Sequence, residues 1–223
     1  RDWTLSWDDS NLPSGWSIVP DGAQNDNPNL IPGIPQNFHF SATVPQSALG
    51  DDNSFIVLTL SLDSDPSISF DSILPIEVLR TSGLSIVGPS GLDNTNGFGR
   101  PGHVATAWMM VENLGNAYET TTSIDWTAPS WGGNPTLHES SGTEIFSLNL
   151  APGEQKELFV NLNTPSSIQF GSVTTTTMTM CIGSGDSTLC EDLSVNLTAS
   201  AVTIEQTHKR TLPNMTLQLS LIH

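Results

Sequence analysis

The sequence predicts an all-β protein built from antiparallel β-sandwiches. Apolar residues alternate with polar ones along many short segments, and turns rich in Gly, Pro, Asn and Asp separate those segments. Helical patterning is nearly absent, because no stretch has apolar residues at i, i+3, i+4 and i+7 over three turns. An alternating strand has one face on a core and one in water, so we expect these strands to pair in sheets that enclose a core.

In chain order, the predicted strands form two series. Each strand of the first series alternates apolar and polar residues or is rich in Thr and Leu: residues 3–7, 38–44, 55–60 and 74–78. The second series has the same character and one more strand: residues 103–112, 117–126, 158–162, 173–180 and 193–199. The Asn113-Leu114-Gly115-Asn116 turn joins the first two strands of the second series.

The two series are copies of one pattern. The Pro-Gly turn after Leu30 and the Pro-Gly turn after Leu150 are 120 residues apart, as are Pro45 and Pro165 further along. A Thr-rich strand and a closing alternating strand then follow in both copies. Turn residues and strand spacings that recur together at one offset indicate a tandem repeat.

The repeat predicts the domain boundaries. Residues 1–88 form a first sandwich that lacks its first strand, because only 3–7 is available where the second copy has two strands. Residues 89–205 form a complete sandwich of about seven strands, with no substantial helix. Residues 206–223 form a linker and the first strand of a truncated third repeat, since Pro213 and the alternating Leu217, Leu219 and Leu221 resemble Pro101 and the strand after it.

The charge excludes two classes of partner. The 223 residues include 6 Lys and Arg against 23 Asp and Glu, a formal net charge of -17, although charged residues make up only 13% of the chain. Nucleic acids and anionic membranes require a basic surface, so we expect neither as partner. We also expect no membrane insertion, because no apolar run approaches the roughly 20 residues that span a bilayer.

The two cysteines predict a disulfide. Cys181 ends one predicted strand and Cys190 begins the next, so a hairpin would place them opposite each other at a suitable distance. A disulfide indicates an oxidising compartment, hence an extracellular or cell-surface location. The competing interpretation is a pair of reduced thiols. The sequons at Asn196 and Asn214 are glycosylation candidates that agree with secretion.

No catalytic residues are predicted. Gly185-Asp186-Ser187 resembles the nucleophile segment of chymotrypsin-like proteases, but Thr188 and Leu189 follow where that family has two glycines, so a hairpin tip is favoured. The five histidines have no close-spaced ligand pattern. We therefore expect a protein that is not an enzyme and has no cofactor.

Two binding sites remain candidates beside simpler interpretations. Loops around Asp21, Asp26, Asp51 and Asp52 have the oxygen-rich composition of a structural calcium site, although solvated turns explain the same residues. Trp126 and Trp131 are candidates for stacking on a sugar ring, although core packing explains large residues in a sandwich equally well.

The second copy resembles the Ig-like modules of prokaryotic surface and secreted proteins, of the CARDB type or the α-galactosidase-associated sandwich type. The resemblance rests on Asn113-Leu-Gly-Asn116, Leu150-Ala-Pro-Gly-Glu154 and the segment from Leu158 to Pro165. It covers 103–200 well and 1–88 more loosely, where Ile34 replaces the Glu. The resemblance implies tandem Ig-like sandwiches of about seven strands and carries no catalytic residues.

These observations predict a non-catalytic extracellular segment, a spacer, stalk or adhesion region of a larger surface or secreted protein. Its partners would be neighbouring repeats of the same chain, and glycans or other surface proteins. The alternative is an accessory, carbohydrate-binding module attached to a secreted hydrolase. An exposed row of Trp side chains would favour the alternative, whereas buried Trp would favour the spacer.

Overall fold

The computed structural model describes residues 2–21, 30–31, 34–35, 37–183 and 187–201. Within these ranges the chain forms fifteen β-strands and one short 3-10 turn, with no α-helix, which confirms the predicted all-β class. The chain divides into two compact units, Arg1–Thr81 and Ser82–His223. We describe each unit by itself.

The first unit has five strands in two small sheets. They are β1 (Trp3–Asp8), β2 (Ser17–Pro20), β3 (Phe40–Thr43), β4 (Asn53–Leu62) and β5 (Asp65–Glu77). β1, β4 and β5 form an antiparallel sheet in that order, and β2 pairs with β3 in a second, two-stranded sheet. Leu5, Ile56 and Leu62 are buried on the larger sheet, and Ile18 is buried on the smaller one.

The second unit has ten strands in one sheet. They are β6 (Leu84–Val87), β7 (Asn94–Gly99), β8 (Val104–Asn113), β9 (Glu119–Trp126), β10 (Thr136–Glu139), β11 (Glu144–Ile145), β12 (Asn149–Leu150), β13 (Gln155–Asn163), β14 (Val173–Ile182) and β15 (Leu189–Ala199). The pairing order is β11-β10-β13-β8-β7-β15-β14-β9-β12, and β6 also pairs with β8.

This sheet curls so that its two halves enclose one core. Leu158 and Val160 of β13 belong to the same buried cluster as Met178 and Met180 of β14. Three strands separate β13 from β14 in the pairing order, so their side chains meet only because the sheet folds over on itself. The result is a sandwich-like arrangement in which buried residues alternate with less buried ones along most of β13, β14 and β15.

β7 joins the two halves. It runs parallel to β15 over Asn94–Gly99 and also pairs with β8 at Gly97 and Phe98. A Cβ at Gly97 would lie 2.3 Å from the Thr106 carbonyl oxygen, so only glycine lets β7 approach β8 this closely. The 3-10 turn Pro89–Gly91 separates β7 from β6, which pairs with the other end of β8.

Each unit contains the same pair of backbone hydrogen bonds, and the two sets are separated by the spacing of the predicted sequence repeat. The Asp51 amide donates to Val78 and the Gly171 amide to Ala199, at N–O distances of 3.0 and 2.7 Å. In the opposite direction, the Val78 amide donates to the Asp52 carbonyl and the Ala199 amide donates to the Ser172 carbonyl, both at 2.8 Å. β4 and β14 have the same length and start 120 residues apart.

A side-chain bond recurs as well. Thr59 Oγ1 donates to Asp71 Oδ1 at 2.7 Å, and Thr179 Oγ1 donates to Asp192 Oδ1 at 2.6 Å. The β4–β5 ladder therefore corresponds to the β14–β15 ladder pair by pair from Asn53–Glu77 to Ser61–Ser69, with an offset of 120 in one strand and 121 in the other. By the same correspondence Leu58 is equivalent to Met178. Trp7 of β1 lies opposite Leu58 and Trp126 of β9 lies opposite Met178, so β1 corresponds to β9.

The division between the units differs from the sequence expectation. We predicted a boundary after residue 88, but the units divide after Thr81, and β6 pairs with β8 of the second unit. The sequence pattern did not separate β6 from the first copy, because a four-residue alternating strand is compatible with either neighbour. Residues 202–223, which include the predicted linker and third repeat, lie outside the described residues.

Candidate functional site

One face of the larger sheet in the first unit is only partly covered. On this face Leu5, Ile56 and Leu62 are buried, whereas Leu58 and Leu60 of β4 and Leu74 and Ile76 of β5 are half-buried. We call the last four residues the open face. Their counterparts in the second unit are Met178, Met180, Val195 and Leu197, and every one of those has 0% exposure. The same positions of the two ladders are thus completely buried in one unit and only partly buried in the other.

The described parts of the two units differ in one strand, β8. In the second unit, β8 pairs with β13 and places Ala105, Ala107 and Met109 in the core. Within the described part of the first unit, no strand occupies the corresponding place. The larger sheet ends at β5, and the smaller sheet consists of β2 and β3 alone.

β3 is the strand beside which a counterpart of β8 would lie. An offset of 120 places Phe40 at the position of Val160 and Ala42 at the position of Leu162 on β13. Val160 and Leu162 are buried at 0% and 2% exposure, whereas Ala42 is exposed and Phe40 is half-buried. β3 pairs with β2 along one edge, and none of the described strands pairs with its other edge.

Aromatic side chains cover part of the same sheet. The Trp7 and Phe40 rings meet edge to face with centroids 5.7 Å apart, which ties β1 to β3. The Trp3 and Phe70 rings are 5.9 Å apart, yet Phe70 is 63% exposed. Ile68 and Phe70 are also exposed along β5, and the exposed Ile73, which pairs with Val57, lies on the opposite face from Leu74.

Cys181 and Cys190 form a disulfide, with their Cα atoms 4.1 Å apart. They lie directly opposite each other in the β14–β15 ladder, as expected for a hairpin. Ser187 lies in the connection between these strands, and Gly185 and Asp186 lie outside the described residues. The disulfide therefore closes the base of this hairpin.

The described calcium candidates make hydrogen bonds within turns and at strand ends. Asp51 Oδ2 accepts from the Arg80 guanidinium at 3.1 Å, and Asp52 Oδ2 accepts from the Leu49 amide at 2.7 Å. The Asp21 amide donates to the His39 carbonyl, and Asp26 lies outside the described residues. Among the residues that the structure describes, no three His, Cys, Asp or Glu side chains are grouped as a metal site would need.

The remaining candidates are separate from the open face. Trp126 and Trp131 are half-buried and pack against the core of the second unit. Asn196 lies in the middle of β15, where its Oδ1 accepts from Thr175 Oγ1 at 2.8 Å, and Asn214 lies outside the described residues. In the described ranges, no helix is long and apolar enough to cross a membrane.

A buried amide organises the two turns that carry the resemblance to Ig-like modules. Asn113 has 0% exposure, and its Nδ2 donates to the Ala117 and Leu150 carbonyls at 2.8 and 3.0 Å. Its Oδ1 accepts from the Gly115 amide at 2.8 Å. Asn113 thus joins the turn after β8 to the turn before β13, a structural role that the sequence pattern had marked only as turn chemistry.

Comparison with known proteins gives only distant structural similarity. No family model matches the chain, and no curated protein gives a significant match. The chain is similar to a family 123 glycoside hydrolase from Clostridium perfringens, with 9% sequence identity, a TM-score of 0.39, and coverage of 57% of this chain and 28% of that chain.

Two smaller solved structures are similar to the same extent. The PapD-like domain 7 of human CEP192 has 10% identity and a TM-score of 0.37, covering 52% of this chain and 84% of that chain. The CooA pilin subunit of enterotoxigenic Escherichia coli has 8% identity and a TM-score of 0.32, covering 52% and 98%. All three TM-scores are below 0.5, so no functional argument follows from these similarities.

Proposed function

We propose that the chain is a non-catalytic structural segment of an extracellular or cell-surface protein, built from tandem copies of one Ig-like sandwich module. It would act as a spacer, a stalk or an adhesion region, with neighbouring repeats as its principal partners. The observation that carries this proposal is the recurrence of the same ladder, turn and side-chain bonds at offsets of 120 and 121 residues. Repetition of one module is how extended surface proteins gain length.

Two further observations support the location. The Cys181–Cys190 disulfide is of the kind that persists in oxidising compartments. The net charge of -17 favours solubility and mutual repulsion of exposed strand edges, which a long array of β-modules needs.

The runner-up, an accessory carbohydrate-binding module, depends on exposed aromatic rings. Sugar stacking requires a ring face open to solvent, and both candidate tryptophans are half-buried against the core. We therefore place the structural role first.

A glycan array decides between the two. The full chain, shown by circular dichroism to be folded, is expected to bind no glycan above the background of an unrelated acidic β-sandwich. Saturable binding that the Trp131→Ala variant loses and the Phe146→Ala variant keeps would establish the accessory module and overturn the spacer. Phe146 is the matched control because it is an aromatic residue with 79% exposure outside the core cluster.

Calorimetry tests the modular organisation directly. If the two units are successive copies of one module, they should unfold in separate transitions. Reduction of the disulfide should lower only the transition of the second unit, because both cysteines lie there. A single transition that moves as a whole on reduction would contradict independent modules.

A further inference from the structure

We infer that the Cys181–Cys190 disulfide is a site of covalent modification, at which a low-molecular-weight thiol exchanges with the bond and becomes attached to Cys190. The thiolate of the small molecule attacks the Cys190 sulfur and forms a new S–S bond with it. The bond between the two cysteine sulfurs breaks, and Cys181 leaves as a thiolate that takes a proton from water. The exchange needs no further oxidant or reductant, and it goes beyond the structural role proposed above.

The first unit has the same pair of positions without a disulfide. Ser61 and Ser69 lie opposite each other in the β4–β5 ladder, as Cys181 and Cys190 do in the β14–β15 ladder. Ser61 is half-buried and Ser69 is exposed, so the environments of the two pairs are similar. A pair of serines is compatible with the register of one ladder. The register of the other ladder therefore does not depend on its S–S bond, and the bond can open without separating the strands.

The disulfide lies on the face of the sheet that is turned away from the core. Met180 of β14 and Leu193 of β15 have 0% exposure in the core, and side chains alternate between the two faces along a strand. Cys181 and Cys190 therefore project from the opposite face. Cys190 is exposed, whereas Cys181 is only 9% exposed. Cys190 is thus the member of the pair that a thiol in solution reaches, and the core stays closed.

The neighbouring strands also favour attack on the Cys190 sulfur. A thiolate approaches the sulfur that it attacks in line with the S–S bond, from the side opposite the sulfur that leaves. On the Cys181 side this line leads towards β9, where Ser123 lies opposite Cys181. On the Cys190 side, none of the described strands pairs with β15 at this position, because the pairing of β15 with β7 begins at Ser194. The approach to Cys190 is therefore the less obstructed one.

The charges around the disulfide determine which thiols react best. β9, β14 and β15 together contain no Lys, Arg or His, and their acidic residues are Glu119, Asp125, Glu191 and Asp192. Asp192 is exposed and projects from the same face as Cys190, two residues along β15. One negative charge about 7 Å away in water slows the approach of each further negative charge about threefold. The site therefore takes uncharged or cationic thiols in preference to thiols that carry a carboxylate.

Mass spectrometry identifies the sulfur that is attacked. The folded full chain is treated with 2-mercaptoethanol, quenched with acid and digested with pepsin, and the adduct is expected on Cys190 about tenfold more often than on Cys181. Single variants provide a second measurement, because neither can expel the bound thiol again. With oxidised 2-mercaptoethanol, Cys181→Ser should form its adduct about tenfold faster than Cys190→Ser. Equal labelling of the two sulfurs, or adducts mainly on Cys181, would overturn the inference.

Three thiols of different charge test the selectivity: cysteamine, 2-mercaptoethanol and 3-mercaptopropionate. The rate of each thiol with the full chain is divided by its rate with an uncharged small disulfide, which removes differences in thiolate reactivity. The normalised rates should fall about threefold at each step from cation to anion and converge at about 1 M salt. Asp192→Asn, which keeps an acceptor oxygen for Thr179, should reduce the steps, and the exposed Glu157→Gln on β13 should not. Equal normalised rates at low salt would overturn the selectivity.

The Cys181→Ser/Cys190→Ser variant tests whether the ladder stays closed without the disulfide, because it places the serine pair of the first unit in the second. Its NMR spectrum should keep the dispersed signals of β14 and β15, with shift changes confined to residues near positions 181 and 190. Contacts between the backbones at these two positions should persist. Loss of the dispersed signals would overturn an exchange that leaves the strands paired. None of these readouts involves glycans or neighbouring repeats, so a failed inference is distinguishable from a failed proposed function.

Discussion

Asp51 and Gly171 occupy equivalent positions of the two units, and both have a left-handed backbone, with φ angles of 72° and 84°. Each amide donates to a carbonyl at the end of the paired strand, that of Val78 directly after β5 or that of Ala199, the last residue of β15. The turn after Pro45 and the turn after Pro165 therefore require the same conformation, which glycine adopts freely and aspartate tolerates better than most residues.

Substitutions at position 171 should follow this conformational preference. Gly171→Ala is expected to lower the free energy of unfolding of the second unit by about 1 kcal/mol, and Gly171→Asp by less. No atom lies within 4 Å of a Cβ built at this glycine, so strain and not collision sets the cost. Urea unfolding measures the difference. Ser167→Ala, at an exposed position in the same turn, is the control, and a Gly171→Ala midpoint equal to that of the control would contradict the prediction.

The disulfide should stabilise the second unit by constraining its unfolded state. The Cys181→Ala/Cys190→Ala variant is expected to lose about 2–3 kcal/mol, the range for closing a loop of this length. The two cysteines are 9 residues apart in sequence. Urea unfolding with and without reductant measures the loss. Reductant should shift the parent to the midpoint of the double variant and leave the double variant unchanged; a parent that does not respond would refute the prediction.

The buried Asn113 amide should be costly to replace. Asn113→Ala is expected to lower the free energy of unfolding by about 3 kcal/mol, because two buried carbonyls lose their donor and the Gly115 amide loses its acceptor. Chemical unfolding of the variant and the parent at pH 7 measures this loss. A loss of unfolding free energy no larger than that of a typical surface substitution would contradict the prediction and would mean that water makes the three hydrogen bonds in place of the Asn113 amide.

Asn113→Asp should make stability depend on pH. Burial against two carbonyl oxygens would raise the pKa of the new carboxyl in the folded state above its unfolded value of about 3.9. The variant should therefore be closest to the parent below that value and lose stability as the pH rises, until the folded pKa is passed. Unfolding at several pH values, relative to the parent, measures the trend. Asn149→Asp, an exposed site, is the control and should show no such trend.

Asp8 gives a pH prediction of the opposite sign. The Ser10 backbone amide donates to its carboxylate at 2.9 Å, and this bond, with a further one from the Ser10 side chain, holds the pKa of Asp8 below 3.8. Its contribution to stability is thus present above pH 3.8 and is lost as the pH falls through the lowered pKa. An NMR titration should show the lowered value, and Ser10→Ala should move it part of the way back. Ser6→Ala should leave it unchanged.

The long strands could be predicted because their signals are local. Alternation extends over enough residues in β4, β14 and β15 to define a strand, and a turn follows Pro45 in the first unit and Pro165 in the second. The disulfide followed from the same hairpin. Short strands such as β10, β11 and β12 were missed, because two to four residues cannot display a period.

The open face could not be predicted from the pattern of its own strands. Leu58 and Leu60 alternate as well as Met178 and Met180 do, yet only the second pair is completely buried. Burial depends on a partner strand that is distant in sequence, and alternation reports the face of a strand without reporting what lies over it. The parallel pairing of β7 with β15 was likewise invisible, because it joins segments 100 residues apart.

That parallel pairing has a mechanical consequence. β7 near the beginning of the second unit and β15 at its end run in the same direction over six residue pairs. A pulling force applied through the two ends of the unit would act along these strands in opposite directions and load all of their hydrogen bonds together in shear. Shear resists extension better than peeling one bond at a time, so the unit is suited to bearing tension along its chain.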